Sequence, residues 1–245
     1  MPTLKHKETF TVRSYEVDYT GRATLPSVAN YLQETAGIHA SNLSFDIEDL
    51  NKSGATWVLY RMRIQMDKFP VRWQQVSVQT WPSSGDGVRA FRDYELLDKN
   101  NERLGVGVSQ WMVLNVSKRR PMRIPDEILK MGLSVDEHVL PINTNPLPEL
   151  ALADHTTTLR VGSQDLDMNR HVNNVTYIEW MTGYLPEEIT KDMRCSGIEL
   201  QYHRETGLGR EITIKSGKTE DGTFIHAITD SDSSELLAHG VSIWE

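Results

Sequence analysis

Asp167, Asn169 and His171 recur at every second position inside Asp165-Leu166-Asp167-Met168-Asn169-Arg170-His171-Val172-Asn173-Asn174. A carboxylate can orient an imidazole, an amide can donate to a developing oxyanion, and a histidine moves protons near neutral pH. If the stretch is extended, the alternation puts all three side chains on one face. Asp165 continues the alternation and can equally cap a turn. Asn173 and Asn174 suit capping or bracing of a loop. A competing reading is an Asx-rich turn and helix cap with a solvent-facing His171. A second polar spot is Glu205, at a predicted strand end next to Gly207. There it is either a general base for water or a surface turn carboxylate beside Arg204. Other chemistries lack their motifs: there is no Gly-rich phosphate loop, no metal-ligand spacing and no G-x-S-x-G elbow. His203 and His226 fall within strand patterns and read as packed or surface residues.

The elements that must hold these groups follow from periodicity. Val175, Ile178, Met181 and Leu185 recur at helical spacing, so the polar loop feeds a helix over 173–185. An earlier helix starts at Thr24 as cap with Pro26 in its first turn. Its stripe is Leu25, Val28, Ala29, Leu32 and Ala36. Strands are expected at 10–17, 56–66, 74–82, 89–97 and 104–116, then at 156–162, 197–203, 210–218, 223–230 and 236–244. Five of the ten prolines lie between them, at Pro121, Pro125, Pro141, Pro146 and Pro148. That cluster reads as a semi-rigid linker. Gly107-Val108-Ser109-Gln110-Trp111 reappears as Gly240-Val241-Ser242-Ile243-Trp244, at the same place in two like element orders. Duplication explains this best. The matching loop of the first half, Val17-Asp18-Tyr19-Thr20-Gly21-Arg22, has neither His nor Asn. That asymmetry favours function in the second.

The expected fold is α+β, two tandem units, each an antiparallel sheet wrapped around a helix. The expected division is 1–130, a proline-rich linker over 131–152, and 153–245. The chain has 245 residues, 38% hydrophobic and 24% charged, as a globular protein would. Its net charge of −8 disfavours non-specific nucleic-acid binding. The single cysteine, Cys195, forms no intrachain disulfide framework. No run reaches the roughly 18 apolar residues of a membrane span, and none near the N-terminus reads as a secretory signal, so a cytoplasmic location is expected.

Several motifs together resemble one family. They are Phe10-x-Val12-Arg13-Ser14-Tyr15-Glu16, Leu32-Gln33-Glu34-Thr35-Ala36, Trp57-Val58-x-x-Arg61-Met62, Asp167-x-Asn169-x-His171-Val172-Asn173-Asn174-Val175-x-Tyr177-Ile178 and Tyr202-x-Arg204-Glu205. The chain resembles, over nearly its whole length, the acyl-acyl carrier protein (acyl-ACP) thioesterases, enzymes of plant plastids and bacteria built from two hot-dog units. The start close to the first strand looks bacterial. The resemblance implies hydrolysis of a fatty acyl thioester on the carrier's phosphopantetheine arm, without cofactor or metal. It implies a catalytic set of Asp167, Asn169, His171 and Glu205. Plant members carry Cys directly after that glutamate, where Thr206 stands here, so covalent cysteine catalysis is not expected and Cys195 is a buried bystander. The acyl chain is expected in the first unit, with Val28, Leu32 and Trp57 as candidate chain-length residues and core packing as their competing role. Lys118, Arg119, Arg120, Arg123 and Arg170 are candidate docking charges for the acidic carrier, as are Lys191 and Arg194. Rival readings are an acyl-CoA thioesterase of the same fold, a hot-dog dehydratase and a non-catalytic acyl-binding module. Chain length and oligomeric state, a homodimer included, are left open.

Overall fold

The computed structural model describes residues 5–126, 128–129 and 138–245. They divide into two compact units, the first ending at Asn143 and the second starting at Thr144. This boundary lies within the stretch read as a linker. Of that linker, residues 131–137 lie outside the described residues, and 138–152 run without helix or strand.

In unit 1, β1 (His6–Thr11) is followed by a 3-10 turn, Ser14–Glu16, then α1 (Leu25–Asn42) and α2 (Ile47–Asn51). The strands are β2 (Ala55–Met66), β3 (Gln75–Gly85), β4 (Arg89–Asp98), β5 (Arg103–Asn115) and β6 (Arg120–Met122). They form an antiparallel order β1-β3-β4-β5-β2, with β6 also on β5. The Thr24 hydroxyl accepts the Ser27 N–H at 3.2 Å and starts α1. All five residues of the expected stripe are buried. α1 packs so closely on the sheet that a Cβ on Gly107 would lie 3.0 Å from Leu32 Cδ1.

Unit 2 repeats the plan: β7 (His155–Arg160), a 3-10 turn Ser163–Asp165, α3 (Asn174–Gly183), α4 (Glu187–Asp192), β8 (Cys195–Tyr202), β9 (Glu211–Lys218), β10 (Phe224–Asp230) and β11 (Leu236–Trp244). Its antiparallel order is β8-β11-β10-β9-β7. The shared Gly-Val-Ser-x-Trp motif does the same work in both units. Trp111 Nε1 donates to Ser109 Oγ and Trp244 Nε1 to Ser242 Oγ, each at 2.8 Å. The neighbouring strand completes the serine's bonding, with the Tyr94 hydroxyl at 3.0 Å in unit 1 and His226 Nε2 at 2.7 Å in unit 2.

Three local expectations change. The first strand runs over His6–Thr11 rather than 10–17: it starts earlier, where it pairs with β3, and it stops at Thr11 because Glu16 accepts the Arg13 N–H at 2.6 Å and pairs with its guanidinium at 3.0 Å. This curls the chain into the 3-10 turn. The short helices α2 and α4 lack a long apolar period; Asp46 caps the first by accepting the Asp49 N–H at 2.9 Å, and Pro186 opens the second. β6 falls among the prolines, where Arg120, Pro121 and Met122 extend the pairing of β5 beyond the end of β4.

Candidate active site

Backbone bonds shape the polar loop before any side chain could act on a substrate. Leu166 bridges Val172, the Asp167 N–H donates to His171 O at 2.8 Å, and the Arg170 N–H to Asp167 O at 3.1 Å. The loop is therefore a tight turn, not the extended stretch that alternation suggested, and Arg170 sits at φ +64. Asp167 holds this turn from inside. Its Oδ1 accepts the N–H groups of Asn169 at 2.8 Å and His171 at 3.3 Å, and its Oδ2 receives the Asn169 amide at 3.4 Å. Asp165 braces the entry, accepting the Gly162 N–H at 2.7 Å. Asn173 caps α3 by accepting the Val175 N–H at 3.0 Å.

The loop then meets the end of β8. His171 bridges Gly207, and the Val172 N–H donates to Thr206 O at 2.9 Å. This brings His171 Nε2 to 3.2 Å from Glu205 Oε2, with the two side chains 48% and 41% exposed. A carboxylate only accepts, so a neutral His171 carries its proton on Nε2. Arg204 turns instead to Glu235, at 3.2 Å. Beside Glu205 lies a hollow of about 270 Å³ lined also by Arg204, Thr206, Arg210, Asp230 and Leu237. The pair can relay a proton to or from a water or a leaving group, and being half-exposed it is open to a substrate.

Unit 1 contains the same frame without the chemistry. Val17 bridges Ala23 and Arg22 bridges Val71. Asp18 Oδ1 accepts the N–H groups of Thr20 at 2.8 Å and Arg22 at 3.4 Å, and the Ala23 N–H donates to Pro70 O at 2.8 Å. Position by position, Asp18 corresponds to Asp167, Thr20 to Asn169, Gly21 to Arg170, Arg22 to His171 and Phe69 to Glu205. The aspartate is thus common to both loops, and only Asn169, His171 and Glu205 are particular to unit 2.

One site neighbour escaped sequence reasoning. Tyr177 on α3 packs edge-on to Tyr202, with centroids 5.6 Å apart. Burial first, and then the Glu205 charge, push its phenol well above the usual tyrosine range. Its sequence signal was a place in the motif Val175-x-Tyr177-Ile178, which assigned it no role.

The remaining candidates fall in unit 1 or on other elements of unit 2. Val28 and Leu32 are in the core of unit 1. Trp57 belongs to a satellite cluster with Leu50, Val113 and Ile124, and its indole donates to Phe45 O at 2.8 Å. Lys118, Arg119 and Arg120 are exposed after β5, and Arg123 pairs loosely with Asp126 at 3.5 Å. Lys191 lies on α4 and Arg194 just before β8. Cys195 is buried in β8, and burial pushes its thiol up to about 12.

Residues 3–131 match the family model for the acyl-ACP thioesterase N-terminal domain, and residues 150–245 the one for the C-terminal domain. The chain belongs to the acyl-ACP thioesterase family. It is similar to an oleoyl-acyl carrier protein thioesterase of Arabidopsis thaliana, 30% identical over 98% of this chain and 76% of the relative. It is also similar to a palmitoyl-acyl carrier protein thioesterase of Cuphea hookeriana, 30% identical over 96% of this chain and 61% of that protein. Among solved structures, an acyl-ACP thioesterase from Bacteroides thetaiotaomicron superposes with TM-score 0.89 and 26% identity, covering 98% of each chain. The thioesterase is accordingly a hydrolase of fatty acyl-ACP thioesters, built on the hot-dog α+β plan. Among its described residues no helix is long and apolar enough to cross a membrane.

Proposed function

We propose that Glu205 and His171 carry the hydrolysis, with Asn169 as oxyanion donor and Asp167 as the residue that positions both. The observation that carries this reading is the 3.2 Å His171–Glu205 contact, set in a loop frame whose duplicate in unit 1 has Arg22 and Phe69 instead. Glu205 takes a proton from the attacking water, His171 gives its Nε2 proton to the departing phosphopantetheine thiolate, and the Glu205 proton passes to Nε2 across their contact, restoring both. The Asn169 amide gives one N–H to Asp167 Oδ2 and keeps its second for the oxyanion, with a backbone N–H at the start of α3 as the further donor. Glu205→Ala and His171→Ala should each lower kcat on acyl-ACP by roughly 10²–10⁴-fold. Near-wild-type turnover in both would overturn the assignment.

The carrier is proposed to dock on Lys118, Arg119, Arg120 and Arg123, and on Arg170. Arg170 holds a left-handed conformation that costs a non-glycine residue about 1–2 kcal/mol, where its counterpart is Gly21 at φ +77. A charge retained at that expense supports a use for it. Reversing Lys118, Arg119 and Arg120 to Glu should raise KM for acyl-ACP and leave KM for a small thioester unchanged; an unchanged carrier KM would exclude this surface. Unit 1 is proposed to hold the acyl chain, with Val28, Leu32 and Trp57 setting its length. A panel of acyl-ACP substrates on Leu32→Ala reads that directly, and turnover of CoA against ACP thioesters decides the carrier. Cytoplasmic residence and homodimerisation are proposals read by cell fractionation and by sedimentation.

A further inference from the structure

Unit 1 lacks the Glu205–His171 chemistry, yet it holds a different set of groups. Asp93, on β4, is fully buried. One carboxylate oxygen accepts the Val139 N–H at 2.7 Å, and the other meets His138 Nδ1 at 3.0 Å. The opposite ring nitrogen, Nε2, lies 3.1 Å from Ser84 Oγ. An ionised carboxylate only accepts, so the proton of a neutral His138 sits on Nδ1 and Nε2 is left as an acceptor. Ser84 must then donate its hydroxyl proton toward that nitrogen. The ring is braced edge-on by Phe91, with centroids 6.5 Å apart at 82°. Ser84 stands where the β3–β4 register breaks between Pro82 and Gly85. Such irregularities re-aim side chains out of the ladder. Both Ser84 and His138 are half-buried, and His138 keeps 22% side-chain exposure, so the hydroxyl and its base are reachable.

We propose that Ser84, His138 and Asp93 form a second, serine-based acyl-transfer centre in unit 1, acting on small carboxylic esters or thioesters. Nucleophile, base and orienting acid stand in hydrogen-bond sequence, which is how such triads are recognised whatever their fold or chain order. The Ser84 hydroxyl adds to an acyl carbonyl as His138 Nε2 takes its proton. The tetrahedral adduct collapses, and that proton leaves with the departing alkoxide or thiolate. Water, deprotonated by the same nitrogen, then cleaves the acyl-serine, freeing a carboxylic acid and restoring the hydroxyl. Buried Asp93 stabilises the imidazolium formed in each half-reaction. The step draws on none of the groups assigned to acyl-ACP hydrolysis.

The test uses the full-length chain carrying His171→Ala and Glu205→Ala, so the two centres are read separately. It is treated with a fluorophosphonate probe, the adduct is mapped by peptide mass spectrometry, and p-nitrophenyl acetate turnover is followed in parallel. Ser84 should be labelled, and Asp93→Asn or His138→Gln should slow labelling by roughly 10²-fold or more. A purely structural tie would move the melting temperature alone. No adduct on Ser84, or one indifferent to His138→Gln, overturns the proposal. Should both substitutions unfold the chain, Ser84 is compared with exposed Ser117 in the intact triad, and equal labelling overturns it.

Discussion

Asp167 and Asp18 make the same bonds in two loops, and only one loop sits beside a histidine and a glutamate. The carboxylate is therefore a turn-former first, acting on catalysis through the placing of Asn169 and His171. Removing it should separate the two consequences. Asp167→Ala should lower both melting temperature and kcat, the latter by ~10-fold or more as the reacting groups drift. Asp18→Ala should lower melting temperature and leave kcat unchanged. Equal kcat losses from both would contradict the assignment of acyl-ACP hydrolysis to the unit 2 loop. Cys195 offers the converse case. A buried thiol pushed up to about 12 stays protonated and unreactive, so iodoacetamide should leave acyl-ACP hydrolysis intact and Cys195→Ala should retain wild-type kcat.

The repeated Gly-Val-Ser-x-Trp strand shows what duplication preserved at the level of elements. Its serine gathers an indole from its own strand and a second partner from the next, so the buried hydroxyl is satisfied from both. The glycine is set by close approach: a Cβ on Gly240 would stand 2.7 Å from Glu199 O. Trp111→Phe and Trp244→Phe each remove one donor from a buried serine. Each should cost about 1 kcal/mol beyond the change in apolar contact, seen as a lower urea midpoint. The helices diverged more. α1 runs over 18 residues and α3 over 10, because Pro186 and the turn before it end the second one sooner.

At the scale of the whole molecule, stability carries a pH dependence written into one residue of the unit 2 sheet. His226 is buried between Ser216 Oγ at 2.8 Å and Ser242 Oγ at 2.7 Å, and burial pushes its pKa down to about 3 from 6.5. The unfolded chain takes up a proton near pH 6.5 that the folded chain refuses. This contribution is fully present above pH 6.5 and is lost progressively as pH falls toward about 3, by up to about 1.4 kcal/mol per pH unit. His226→Gln should flatten the fall in melting temperature between pH 7 and pH 4 relative to wild type. A variant that declines as steeply would assign the acid sensitivity to other groups.

By itself the sequence determined the two-unit α+β plan, the apolar stripe of α1, the strand order along the chain and the polar loop at 165–174, because these rest on local periodicity and on residue types that a backbone position demands. It also separated the bracing Asn173 from the groups with chemistry to offer. What it could not determine was where the loop's bonds go. Alternation suggested an extended face, whereas Asp167 accepts two backbone N–H groups and folds the stretch into a turn. Only the tertiary structure decided that Glu205 faces His171 and not Arg204, since that contact needs the His171–Gly207 bridge between segments far apart in the chain. Tyr177 beside Glu205, and the Ser84–His138–Asp93 relay, were hidden for the same reason. Their side chains converge across strands and loops, and spacing along a sequence carries no record of such meetings.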